Sequence, residues 1–236
     1  MVKRILFIFI LLVSTFSFSQ LSKNHYIPPI SSGPSNADPL DQLMYISTPS
    51  QGDVNFTINI VGGNSISGTV SNATPYVYGI ADSGYSSFVQ DPATTSRVTS
   101  DKGYIISADS PIYVSVRLNA GGNAQAGALV SKGENALGTT FRIGTYDNQG
   151  NPGSNYLNFF SFMATEDNTT VNLTNERVTS GLQIQNAGAQ QFPINNISLN
   201  RGQTYVVAVK PEDTNENRAG LIGTLVSSDK PIVVNS

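Results

Sequence analysis

One histidine, 16 carboxylates and no cysteine are what this 236-residue chain offers to catalysis or metal binding. Thiolate nucleophiles, thiolate metal sites and disulfides are thereby excluded. Most triad chemistry and most zinc-dependent hydrolysis need imidazoles held in place. His25 falls among prolines in what reads as a flexible N-terminal segment, a poor place for a general base that must keep hydrogen-bonded geometry. Glu166 and Asp167 are adjacent, so in a strand they point to opposite faces and cannot by themselves form the paired carboxylates of a glycosidase. Ser227 and Lys230 make a lone S-x-x-K, but Pro231 and the β-type neighbours remove it from the helix start that serine acyl-enzymes use. No G-x-S-x-G occurs. The pairs Gly62 with Gly63 and Gly121 with Gly122 lie between strand candidates, where turns want positive φ, so they do not read as phosphate loops.

Cation ligands fare little better. Asp213, Asn215 and Asn217 imitate the opening D-x-N-x-N of a calcium loop, yet Arg218 takes the glycine position and Thr224 that of the bidentate glutamate. The EF-hand reading fails. A weaker site at Glu212 or Asp213 competes with a solvated polar loop, as does one at Asp147, Gln149 and Asn151. Asp109 and Asp229 could hold a cation, but turn chemistry explains their spacing without one. The expectation is therefore no enzyme: catalytic residues none, cofactor-binding residues none, metal ligands none and no cofactor. The aromatic residues read first as core, with a binding surface as the alternative for three tyrosines. Tyr76, Tyr78 and Tyr85 suit a wet patch for an extracellular protein or glycan. Phe159, Phe160 and Phe162 cannot all face one side of a strand, so part of that cluster is expected against a neighbouring sheet. Five N-x-S/T sequons begin at Asn55, Asn72, Asn168, Asn172 and Asn196, about what this composition supplies, and carry no glycosylation claim.

The elements that must position these residues read as β-structure. Charged residues are only 12%, against 39% hydrophobic ones, with 21 glycines and 12 prolines. That balance fits a turn-rich β protein. A formal charge of −3 cannot neutralise a row of phosphates, so nucleic acid is excluded as a partner. Lys3 and Arg4, an apolar run over residues 5–13 and small residues at Ser17 and Ser19 read as a signal peptide over residues 1–20. The run is too short for a bilayer core of about 30 Å, so no membrane span is expected after cleavage, and the protein is expected secreted or at the cell surface. Residues 21–40, with Pro28, Pro29, Pro34 and Pro39, read as an extended lead-in.

Beyond it, apolar and polar residues alternate, as in Val54, Phe56, Ile58 and Ile60 against Asn55, Thr57 and Asn59. Further strand candidates lie at 44–48, 76–80, 104–107, 112–118, 141–145, 159–164, 169–173, 204–209, 221–227 and 232–235. Only 39–44 and 123–132 offer a helical turn. The run GYIISADSPIYV at 103–114 matches GTLVSSDKPIVV at 223–234 at a constant spacing of 120 residues, as from Ser107 to Ser227. Residues 44–60 and 76–80 match 160–173 and 205–209 more loosely. The pattern predicts two homologous tandem β units, 41–118 and 156–236, joined by a connecting region at 119–155. An all-β fold of antiparallel sheets follows, β-sandwich-like, with propeller-like blades as the alternative. The shared S-x-D-x-P-I reads as a strand-turn-strand hinge, because Ser and Asp accept from turn amides and Pro sets φ for the next strand.

Four runs, in order, point to a family: LGTTF at 137–141, TEDNTTVNL at 165–173, LNRGQTYV at 199–206 and AGLIGTLVSSDKPIVV at 219–234. Together they resemble the IgGFc-binding protein N-terminal domain family, over about residue 44 to the end. The resemblance implies a secreted or surface-bound bacterial member with a non-catalytic binding or adhesion role toward protein or glycan. An N-terminal fragment of a longer surface protein is expected. The family name implies the immunoglobulin Fc region as partner. Against this stand an extracellular carbohydrate-active enzyme with carboxylates converging between the units, and a structural spacer.

Overall fold

A computed structural model describes residues 20–31, 39–120, 126–145, 158–178, 182–187, 192–210 and 215–236. The expected signal peptide, apart from Gln20, and the polar loop at Asp147, Gln149 and Asn151 lie outside them, as do Glu212 and Asp213. No helix among the described residues is long and apolar enough to cross a membrane. The fold is all-β and its sheets are antiparallel, apart from one short parallel pair.

The first sheet is built on β9 (Tyr104–Ala120), a strand long enough to serve two layers. Its N-terminal part pairs with β1 (Ser22–Ile27) and β4 (Val54–Ile60), and β4 pairs onward with β5 (Ser65–Val70). Its C-terminal part pairs with β3 (Pro39–Ser47), which carries β6 (Tyr76–Ser83). On the other side of that part lies β10 (Ala126–Val130). The two layers close on one core, where Phe56 of β4 meets Tyr76 of β6 edge to face at 4.9 Å between ring centroids. Ile27, Met44, Ile46, Ile58, Ile106, Val114 and Val116 fill the remainder. Short strands β2 (Ile30–Ser31) and β7 (Val89–Gln90) pair in parallel beside it.

The second sheet repeats the plan. Its long strand is β16 (Leu225–Asn235), whose N-terminal part pairs with β11 (Gly138–Arg142) and β13 (Thr169–Thr174). Strand β14 (Ile194–Leu199) lies beyond β13. The C-terminal part of β16 pairs with β12 (Phe159–Ala164), which carries β15 (Thr204–Ala208). Phe160, Phe162, Val171, Leu173, Val207, Val226 and Ile232 form its core.

Both long strands slip register at the same place. Between Ser22 and Asn24 of β1, the partner on β9 jumps from Ile112 to Ser107, and between Gly138 and Thr140 of β11 it jumps on β16 from Ile232 to Ser227. This corrects the hinge reading of S-x-D-x-P-I. The element bulges a continuous strand without turning it back, so one strand can pass from layer to layer, and its proline gives up an N–H where the ladder is already broken. Propeller blades are excluded too, because a blade is a separate four-stranded sheet while here two layers share one strand.

Neither expected turn is helical where described: residues 39–44 lie in β3, and residues 126–130 form β10. Sheet pairing has overridden a weak local preference there. The N-terminal lead-in contributes β1, and the stretch read as a connection supplies β10 to the first sheet and β11 to the second. Strand β8 (Val98–Thr99) comes from the first half of the chain but pairs with β15 of the second sheet. Thr99 and Thr204 share a hydroxyl hydrogen bond at 2.8 Å, the Ser96 N–H donates to the Val206 carbonyl at 2.8 Å, and Asn186 Nδ2 donates to the Pro92 carbonyl at 2.6 Å. Ile105, Met163 and Val233 pack between the halves, with Tyr26, Val61 and Leu137 around them.

Candidate functional site

His25 is neither flexible nor accessible. Strand β1 buries it completely, which corrects the expectation of a loose segment. Its Nε2 lies 3.1 Å from the Ser22 carbonyl and 3.0 Å from that of Ile112, while Nδ1 lies 2.9 Å from the Ser131 hydroxyl. Two carbonyls can only accept, so Nε2 carries the proton and Ser131 donates to Nδ1. Burial holds the pKa below the usual 6.5, opposed by the carbonyls of Ile112 and Ser22 and by Glu134. The ring ties β1 to the bulge of β9 and to the segment after β10. It is a buried structural pin.

Two of the three tyrosines follow the core reading and not the surface-patch alternative. Tyr76 and Tyr78 point into the first core, Tyr76 against Phe56 and Tyr78 toward Tyr104 at 6.4 Å, and burial raises the Tyr78 pKa. Of the three, Tyr85 alone is largely exposed. The pleat explains why: Tyr76 and Tyr78 share a side of β6, and Val77 between them takes the outer one. Phe160 and Phe162 share the second core, whereas Phe159 lines a cavity of about 190 Å³ with Leu118 and Leu129 of the first sheet. The cluster divides as expected.

What the outer side of β6, β3, β9 and β10 presents is an apolar patch that sequence reading did not single out. Val77, Tyr45, Ser115 and Val130 stand side by side across these four strands. The next row is Gly79, Leu43, Arg117 and Ala128. Val77 and Val130 are each 50% exposed, and Tyr113, beside Ser47, is 38% exposed. Arg117 lays its guanidinium over the Tyr45 ring at 5.4 Å, a stacked cation on an otherwise apolar face. The available signal was the odd-numbered set Tyr45, Val77 and Tyr113, apolar or aromatic residues that share with Arg117 the face opposite the core row.

A second surface is polar. Asn55, Thr57, Ser67, Thr69, Ser107 and Asp109 line a shallow groove of about 470 Å³ over β4, β5 and β9. Asn55 Nδ2 donates to Asp109 Oδ2 at 2.8 Å, and the Thr57 and Ser67 hydroxyls lie 3.3 Å apart. Asp109 is the one carboxylate lining the groove, and glycoside hydrolysis of the common type needs two. In the second sheet Asp229 accepts from the Thr170 N–H at 2.7 Å. No group of three or more metal-ligating side chains occurs among the described residues. Asn217, part of the imitation calcium loop, is buried on a short helix, α1 (Asn215–Ala219), where Oδ1 accepts from the Gln183 N–H.

Comparison with curated proteins and with solved structures finds no match for this chain. Among protein families, one described as IgGFc binding protein matches over residues 126–236, which carry β10 to β16. The four runs quoted from the sequence fall inside that span, while the first sheet lies almost wholly before it. Over residues 126–236, the chain is similar to the IgGFc binding protein family.

Proposed function

We propose that this chain is an exported, non-catalytic contact module, made of two copies of one β unit, that meets a protein partner through the outer face of β6, β3, β9 and β10. The observation that carries the reading is the exposure of Val77, Tyr113 and Val130 around half-buried Tyr45 and the arginine stacked on it. Such a composition suits a protein interface, where aromatic residues and arginine are enriched and other charges are depleted. A binding family over residues 126–236 favours the same class of function. The common register slip in β9 and β16 favours duplication of one unit, and the N-terminal leader pattern favours export.

The family description makes the immunoglobulin Fc region the first partner to try. Saturable binding of the purified chain in a panel that includes Fc is expected to weaken at least about tenfold with Val77→Lys, a loss typical of a buried interface contact. Unchanged binding by that variant moves the contact elsewhere. The polar groove favours a second reading, a glycan ligand, because adjacent hydroxyl, amide and carboxylate groups match sugar hydroxyls. Asp109→Ala would then weaken glycan binding while Val77→Lys leaves it intact.

A further inference from the structure

We infer that the free edge of β6 is a second contact site, one that takes an extended peptide segment of a partner protein as an added antiparallel strand. It adjoins the face proposed above and does not depend on it. The backbone shows which groups are open. In an antiparallel ladder, pairs that exchange hydrogen bonds alternate with pairs that do not. The Ser131 N–H donates to the Val114 carbonyl at 3.0 Å, so Val114 turns its polar backbone groups toward β10 and Ser115 turns its own toward β3. Tyr45, opposite Ser115, bonds back to β9, and Val77, opposite Tyr45, directs its N–H and C=O away from β3. Gly79, opposite Leu43 in the same register, does likewise. Pro75, two residues before Val77, has no N–H to leave open. Among the described residues β6 ends its layer, and no strand pairs with that edge.

The second sheet shows what such an edge takes. Val206 and Ala208 of β15 hold the register positions of Val77 and Gly79, with Ser161 in the place of Tyr45 and Asn235 in that of Ser115. There the Val206 carbonyl accepts from the Ser96 N–H and the Ala208 carbonyl from the Gln185 N–H, both at 2.8 Å. The occupants are extended chain: β8 pairs antiparallel with Thr204 and Tyr205, and Ile184 bridges Val209. Strand β6 is built to accept the same. It is eight residues long and carries neither lysine nor an internal proline, devices that blunt an edge. A Cβ added at Gly79 would meet nothing within 4 Å, and Val77 is 50% exposed, so an incoming backbone has room. Side chains set the preference. Val98 of β8 lies beside Tyr205, whose place in the first sheet is held by Tyr76, so a β-branched residue beside Tyr76 suits. Main-chain bonds then supply affinity and alternate side chains selectivity.

The test uses the purified chain and peptides selected on it from a phage-displayed library of random linear sequences. In the free chain, amide hydrogen exchange read by NMR is expected to be fast at Val77 and Gly79 and slow at Tyr76 and Tyr78. A bound peptide is expected to slow exchange at Val77 and Gly79. N-methylation of the peptide amides that face β6 is expected to weaken binding at least about tenfold, as for lost main-chain hydrogen bonds, while N-methylation of the amides facing away leaves it intact. Slow exchange at Val77 and Gly79 in the free chain, a library that yields no binder, or protection that falls away from β6 would each overturn the inference. So would a peptide indifferent to both N-methylation patterns. Val130→Lys, across the sheet on β10, separates edge from face. Peptide binding intact in that variant supports the edge whatever becomes of the face, and peptide binding weakened tenfold by it places the peptide on the face and overturns the edge.

Discussion

Val77 and Val206 hold the same register position in the two sheets, yet Val77 is 50% exposed and Val206 is 0% exposed. Val77 stands beside Tyr45, and Tyr45 beside Ser115 of β9. Val206 stands beside Ser161, and Ser161 beside Asn235 of β16. The pleat sends both valines away from their own cores. What differs is the covering: on that side of the second sheet Met163 and Val233 pack with Ile105, Tyr26 and Val61, while Val77 stands open.

Lysine at these two positions should therefore have opposite consequences for stability. Val77→Lys is expected within about 0.5 kcal/mol of wild type, as for a surface change. Val206→Lys buries a charge among apolar groups and is expected to cost more than about 3 kcal/mol. Urea denaturation of both variants checks the contrast.

Replacing His25 by Ala should cost about 2 to 4 kcal/mol, since it leaves a cavity and strips a partner from the Ser22 and Ile112 carbonyls and from the Ser131 hydroxyl. The pH dependence has a definite sign. Burial lowers the folded pKa, so the unfolded chain takes up the proton first as pH falls. Stability from the neutral ring is complete above about 6.5 and is lost as pH drops from there through the lower folded value. Denaturation midpoints at several pH values should show this decline in the wild type and a flatter profile in His25→Gln.

Gly103→Ala tests the packing between the two halves. Gly103 has φ +95°, and an added Cβ would sit 2.7 Å from the Ile27 carbonyl oxygen and 2.5 Å from Met163 Cε. The methionine can move, but the backbone oxygen cannot move cheaply. A loss above about 1 kcal/mol is expected, from the backbone conformation and the contact together. Thermal unfolding reads it directly.

Phe56→Ala removes a ring that bridges the two layers of the first sheet onto Tyr76. A loss of about 3 to 5 kcal/mol is expected, seen as a lower urea midpoint. A loss under about 1 kcal/mol would mean that the layers do not close on this ring.

Much of this fold was legible because alternation is a local signal. Val54, Phe56 and Ile58 all face the core, as their spacing predicts. Strand β5 was missed because Ser65, Ser67, Gly68 and Thr69 dilute Ile66 and Val70. Strand β14 was missed for a like reason at Asn195 and Asn196. The bulge at Asp109 and Pro111 looked like a turn because bulges and turns use the same residues, and which one forms depends on whether flanking strands continue the ladder. The contact face was hidden by parity. Tyr76 and Tyr78 stand out as aromatic, but Val77 faces outward, and which row lies inside is set by β3 and β4 across the core.

Hydroxyl-radical footprinting of the chain, free and saturated with whichever bound species it captures, measures the contact face most directly. The account predicts reduced labelling at Tyr45, Tyr113 and Val77, with Tyr85 and the groove around Thr57 unchanged. Full labelling of those three residues in the bound state, with protection appearing elsewhere, would contradict it.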